Sequence, residues 1–162
     1  MSELRTIELP CVPPDHYLRW LAFWRQVEQA MGARPALERH ASTVAAPFLR
    51  GEVAEFISTV LVTEIRRQAS EAKAAGLPGF APTIEGPDRL LRDAIDYVRR
   101  RGRWIDETVS LELIGVPRLE PELVELRRQV IRTIEDQLDG RDPSLDAAMP
   151  SFGSLARDVE VG

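Results

Sequence analysis

Between Glu52 and Ala75 the chain repeats apolar side chains at helical spacing for longer than anywhere else, and this stretch constrains the rest. Val53, Phe56, Ile57, Val60, Leu61 and Ile65 share one broad face when each residue advances by about 100°. A helix that apolar on one side must be covered by other elements, so the pattern predicts a helical bundle with this segment at its centre.

The flanking sequence supplies candidates for the cover. Pro13-Pro14-Asp15 opens a helix in which Tyr17, Trp20, Leu21, Trp24, Val27 and Met31 recur at helical spacing as far as Gly32. A shorter helix from Pro35 to Ala46 is stopped by Pro47, and Gly51 marks a joint. Asp88 caps a helix carrying Leu90, Leu91, Ala94, Ile95 and Val98, which should end near Gly102. Glu120-Pro121 opens the last helix, whose stripe of Leu123, Leu126, Val130, Ile134 and Leu138 runs toward Gly140.

Three segments read less simply. Leu4 to Leu9 alternates and ends at Pro10, as an extended arm or short edge strand would, with no evident partner strand. The connection from Gly76 to Pro87 holds so much proline and glycine that no regular structure is expected there. Trp104 to Ile114 fits a strand through Val109, Leu111 and Leu113 and a helix through Ile105, Val109 and Leu113, and helix is the reading taken. The expected fold is therefore mainly α, a compact bundle of about five or six helices with a short extended N-terminal arm and an irregular C-terminal tail. Residues 1–140 are expected to form a single helical domain, and 141–162 a flexible tail with too few apolar side chains to offset its ordering entropy.

Composition narrows the setting. With 162 residues, 44% apolar and 29% charged, the chain has material for one core and a wet surface. Cys11 is the only cysteine, which leaves no internal disulfide and no multi-cysteine metal site and suits a reducing compartment. The start MSELRTIELP lacks the pattern of a signal peptide, and no apolar run spans a bilayer, so a cytoplasmic location and no membrane contact are expected. Lys73 is the only lysine and asparagine is absent, a usage that suggests a GC-rich, bacterial genome. Arginine richness is then poor evidence for nucleic-acid binding, and a net charge of −5 argues against a polyanionic partner.

Candidate chemistry is sparse. His16 and His40 stand in no metal or triad spacing, and no glycine-rich phosphate loop is present. No catalytic, metal or cofactor residue is expected. The run Arg99-Arg100-Arg101-Gly102-Arg103-Trp104 is the one dense basic cluster, and docking against an acidic protein surface suits it better than nucleic acid does. Trp20, Phe23 and Trp24 on the first helix, with Arg100, Arg103 and Trp104, are candidate partner-binding residues, because aromatic residues and arginine dominate interface hot spots.

Two charges fall inside apolar stripes: Glu64 among Ile57, Val60 and Leu61, and Arg127 among Leu123, Val124, Val130 and Ile131. A buried charge needs a partner, so these two are expected to form an ion pair between facing helices.

In the tail, Phe152 and Leu155 are apolar anchors in a polar stretch and complete the candidate partner-binding set. Gly153-Ser154-Leu155 resembles the Gly-Ser-Leu type C-terminal peptides that load cargo into encapsulin shells. The following Asp158-Val159-Glu160 departs from a basic ending, and the rest of the chain supports no such cargo enzyme, so no family is assigned.

The functional expectation is a non-catalytic helical subunit or adaptor acting through protein contacts in a larger assembly or homo-oligomer. The alternatives are a small-ligand-binding protein with a pocket between the first and third helices, or an enzyme without a readable motif.

Overall fold

The computed structural model describes residues 4–37, 39, 51–108 and 111–140, except the side chains at 104 and 106–108. Five α-helices dominate it: α1 Pro14–Gly32, α2 Gly51–Phe56, α3 Ile65–Ala74, α4 Asp88–Thr108 and α5 Pro121–Leu138. A π-helical segment, Ile57–Glu64, joins α2 to α3, and a short 3-10 helix, Leu111–Ile114, follows α4. The strands β1 Leu4–Glu8 and β2 Thr83–Pro87 pair antiparallel in a two-stranded sheet.

The extended arm thus has a partner that the sequence reading did not find, in a connection expected to be irregular. Its prolines are placed where the ladder can spare them. Glu8 stands opposite Thr83, and Leu9 N–H donates to Pro82 O at 2.8 Å. Alternation along an antiparallel pair then makes 9↔82 and 7↔84 hydrogen-bonded positions, while 8↔83, 6↔85 and 4↔87 turn their backbone groups outward. Pro87 falls at an outward position, and Pro82 withholds one bond only.

At the outward pair 8↔83 both edges are closed by glutamine. Glu8 N–H donates to Gln137 Oε1 at 3.2 Å while Gln137 Nε2 donates to Glu8 O at 2.8 Å. On the opposite edge Thr83 N–H donates to Gln68 Oε1 at 3.0 Å and Gln68 Nε2 donates to Thr83 O at 2.9 Å. Each carboxamide carries one donor and one acceptor in the spacing of a peptide group, so α3 and α5 each supply what a neighbouring strand would.

The sheet's inner face, through Ile7, Leu9 and Ile84, joins the main core with Tyr17, Trp20 and Leu21 of α1, Phe56, Ile57 and Leu61, and the inner faces of α3, α4 and α5. Two arginines also close the C-terminal end of α5, where carbonyls lack helical partners: Arg5 donates to Gln137 O at 2.6 Å and Arg92 to Leu138 O at 3.1 Å. A second, smaller cluster gathers Val27, Met31, Ile105, Ile114 and Val116. Met31, the last residue of the α1 apolar stripe, belongs to this second cluster, whereas Trp20 belongs to the first.

The π segment coincides with Ile57-Ser58-Thr59-Val60-Leu61-Val62-Thr63, a run of β-branched and hydroxyl residues that fit an α-helix poorly. Thr63 Oγ1 donates to Ser58 O, five residues back, at 2.6 Å. In a π turn each residue advances by less than in an α-helix, so a helical wheel drifts across this segment. Glu64 is displaced accordingly. Its side chain is 37% exposed and pairs with Arg67 and Gln68 on its own helix. The expected Glu64–Arg127 pair is thereby corrected, since Arg127 lies against Gly102 of α4. Gln68 touches Thr83, before α4 begins, whereas Gly102 lies fourteen residues beyond Asp88, roughly 20 Å along that helix.

The helix expected to stop near Gly102 runs on to Thr108, and Leu111–Ile114 is helical rather than extended. Gly115, at φ 77°, then ends the 3-10 turn in a conformation glycine adopts readily. Pro35, Ala36, Leu37 and Arg39 are helical, while the remainder of the expected 35–46 helix lies outside the described residues.

Candidate functional site

Two of the α1 candidates, Trp20 and Trp24, lie along one ridge with Tyr97 and Arg101 of α4. Trp20, Trp24 and Glu28 are spaced four apart on α1, as are Tyr97 and Arg101 on α4, so each set lines one helical face. Trp20 is only 5% exposed and belongs to the core. Its ring meets Trp24 edge-on, with centroids 6.1 Å apart at 66°, and Trp24 in turn lies 6.1 Å from Tyr97 at 35°. Arg101 completes the series with its guanidinium carbon 5.8 Å from the Tyr97 ring centre. Trp24 is half-buried and donates its indole N–H to Glu28 at 2.7 Å. Trp20 and Tyr97 are both sealed in the core, at 5% and 3% exposed, so the ridge meets solvent at the half-buried Trp24 and Arg101.

Arg100 and Arg103 are exposed on the same stretch of α4, and Arg99 pairs with Asp96 at 3.8 Å and Glu135 at 3.2 Å. Phe23 is half-buried and packs on the second cluster, away from Trp20. Trp104 is helical within α4, but its side chain lies outside the description, as do Phe152 and Leu155 altogether. Tyr97 and Arg101 are the members that sequence reasoning did not single out. Their signal was the four-residue spacing that sets Arg101 above an aromatic ring.

A second constellation joins the starts of α1 and α5 to the end of α3. Arg19 binds Asp15 at 3.0 Å, Glu120 at 2.5 Å and Glu122 at 2.8 Å, and Lys73 reaches Asp15 at 2.8 Å. The Lys73 ammonium holds the Asp15 carboxyl below its usual range, and Arg19 does the same for Glu122. Carboxylates so held are ionised at neutral pH and make poor proton donors, so the cluster clamps elements together rather than moving protons. His16 occupies the same first turn of α1, and His40 lies outside the described residues.

Cys11 is exposed next to Gly79. Tyr17 donates its hydroxyl to Pro10 O at 2.5 Å, and burial pushes its phenol up, which keeps it protonated. Among the described residues no group of three or more His, Cys, Asp or Glu side chains is arranged to hold a metal ion, and no helix is long and apolar enough to cross a membrane. Comparison with known proteins finds no family model, no curated protein and no solved structure that matches this chain.

Proposed function

We propose that the protein is a helical subunit or adaptor that works through protein contacts, and that it docks an acidic partner surface on the ridge formed by α1 and α4. The observation that carries this reading is Trp24, half-buried and held between the buried rings of Trp20 and Tyr97, with Arg101 over the Tyr97 ring beside it. Tryptophan, tyrosine and arginine are the residues on which binding energy concentrates, because they bury large rigid area while keeping a polar edge. Here they are already ordered by one another, so little rotamer freedom remains to be lost on docking.

Charge supports an acidic protein over a nucleic acid. Arg100 and Arg103 make this end locally basic, while the whole chain carries −5 and would repel an extended polyanion.

The test places a photo-crosslinking residue at Arg103, and in a control at the exposed Ser70 on α3, within the source cell. The expected result is an adduct from position 103 alone, joined at an acidic surface of the partner and abolished by Arg100→Glu with an unchanged melting temperature. No adduct at 103, or one indifferent to that charge reversal, overturns the reading.

A further inference from the structure

The two strands form a sheet with two outer edges, and the edges differ. On β2 the outward positions are Thr83, Glu85 and Pro87. Pro87 has no N–H to offer, and a two-fold axis at Glu85 would set that carboxylate against its own copy, so this edge is closed to self-pairing. On β1 the outward positions are Leu4, Thr6 and Glu8. Thr6 is exposed, and among the described residues its outward N–H donates to none and its C=O accepts from none. Leu4 is 66% exposed, an unusual position for a large apolar side chain on a strand edge. Among the described residues only Glu8 is engaged there, by Gln137.

We propose that the outer edge of β1 is a strand-pairing surface for a second copy of this chain, held closed by Gln137. The inference follows from the geometry of the sheet and is independent of the ridge on α1 and α4. An antiparallel pair with its two-fold axis at Thr6 sets Thr6 against Thr6 of the partner subunit and Leu4 against Glu8 of the partner subunit. All three outward positions then fall on hydrogen-bonded sites, no like charges stand opposite, and paired threonines are favourable cross-strand neighbours. The result is a continuous four-stranded sheet. Gln137 is an internal competitor: its carboxamide takes the same N–H and C=O of Glu8 that Leu4 of the partner subunit would take, so the edge opens only when the glutamine withdraws.

The experiment follows mass in solution by light scattering over a concentration series. Gln137→Ala should raise the association constant roughly tenfold or more over the parent chain, with Gln137→Glu in between because a carboxylate still accepts from Glu8 N–H but cannot donate to its carbonyl. Adding Thr6→Pro should abolish the gain. Its missing N–H is an outward one, so pairing with β2 survives while the new ladder cannot form.

A folded Gln137→Ala chain of unchanged mass overturns the proposal, as does an increase that persists with Thr6→Pro. Should these variants unfold, the intact Gln137 chain decides. In a Cys11→Ser background, Thr6→Cys should oxidise to a disulfide dimer well ahead of Leu4→Cys, because only position 6 meets itself at about 5.5 Å. Equal rates at the two positions overturn it.

Discussion

Arg127 on α5 lays its guanidinium across Gly102 of α4, so closely that a Cβ built on the glycine would stand 2.2 Å from Nη1 and 3.0 Å from Cζ. The glycine is therefore part of a helix–helix contact, although by propensity alone it weakens the interior of α4. Gly102→Ala would ordinarily stabilise an exposed helix by about 1 kcal/mol. Here the new methyl must push Arg127 aside. The expected outcome is a gain near that value in an Arg127→Met background and a smaller or reversed effect in the parent chain, a coupling of at least about 0.5 kcal/mol. Denaturant midpoints of the four chains measure it.

Gly86 in β2 meets a harder neighbour. A Cβ there would lie 2.4 Å from Cε2 and 2.9 Å from Cζ of Phe56, a core ring that is 6% exposed. Gly86→Ala should therefore destabilise by roughly 1–3 kcal/mol, the usual penalty for overpacking, despite the lower entropy of an unfolded chain with alanine. Phe56→Leu should recover part of that loss when the two changes are combined, because the smaller side chain leaves the methyl its space. Thermal melts of single and double variants test this, and additive effects would dismiss the contact as the cause.

Helices were legible wherever apolar residues recurred at one fixed angle, as in the stripe Leu123, Leu126, Val130, Ile134 and Leu138, which is buried throughout α5. What escaped depends on contacts between distant segments. The strand at Thr83 exists because Leu4 to Glu8 lies beside it, and nothing within the proline-rich stretch announces that partner. Gln68 and Gln137 look like ordinary surface residues until the sheet edge they serve is known. Glu64 was misplaced because the reading advanced by α-helical steps through a segment that makes π turns. On the candidate site, Trp20 and Trp24 were visible from spacing, whereas Tyr97 became a member only when α4 was packed against α1.

The two tryptophans should separate in their energetics. Trp20, 5% exposed in the main core, is expected to cost about 3–5 kcal/mol when replaced by alanine. Trp24 is half-buried, keeps part of its hydration in the folded state and should cost roughly 2 kcal/mol. Trp24→Phe preserves the stacking on Tyr97 while removing the bond to Glu28, and should lie within about 1 kcal/mol of the parent chain. Urea unfolding of the three variants gives the order directly, and a Trp24→Ala cost matching that of Trp20→Ala would move Trp24 from the ridge into the core.

Acid should act on the clamp around Arg19. Asp15 and Glu122 titrate below their ordinary values of 3.8 and 4.5 in the folded chain, because Lys73 and Arg19 favour the ionised forms. A carboxyl depressed in the folded state contributes stability that is complete above its unfolded value and disappears as pH falls through the folded one. Loss should therefore set in below about pH 4.5 and continue past the ordinary range, and Arg19→Ala should make that acid limb shallower. Glu135 behaves in the opposite sense. Burial raises its carboxyl above 4.5 despite Arg99 nearby, so its contribution is largest at low pH and falls as pH rises through the raised value. Glu135→Gln, which keeps the shape and removes the charge, should match or exceed the parent chain at pH 7 and lose any advantage near pH 4. Denaturant midpoints from pH 3 to pH 7 on the parent, Arg19→Ala and Glu135→Gln chains decide both points, and a Glu135→Gln chain weaker than the parent at neutral pH would show that the Arg99 pair outweighs the burial of the charge.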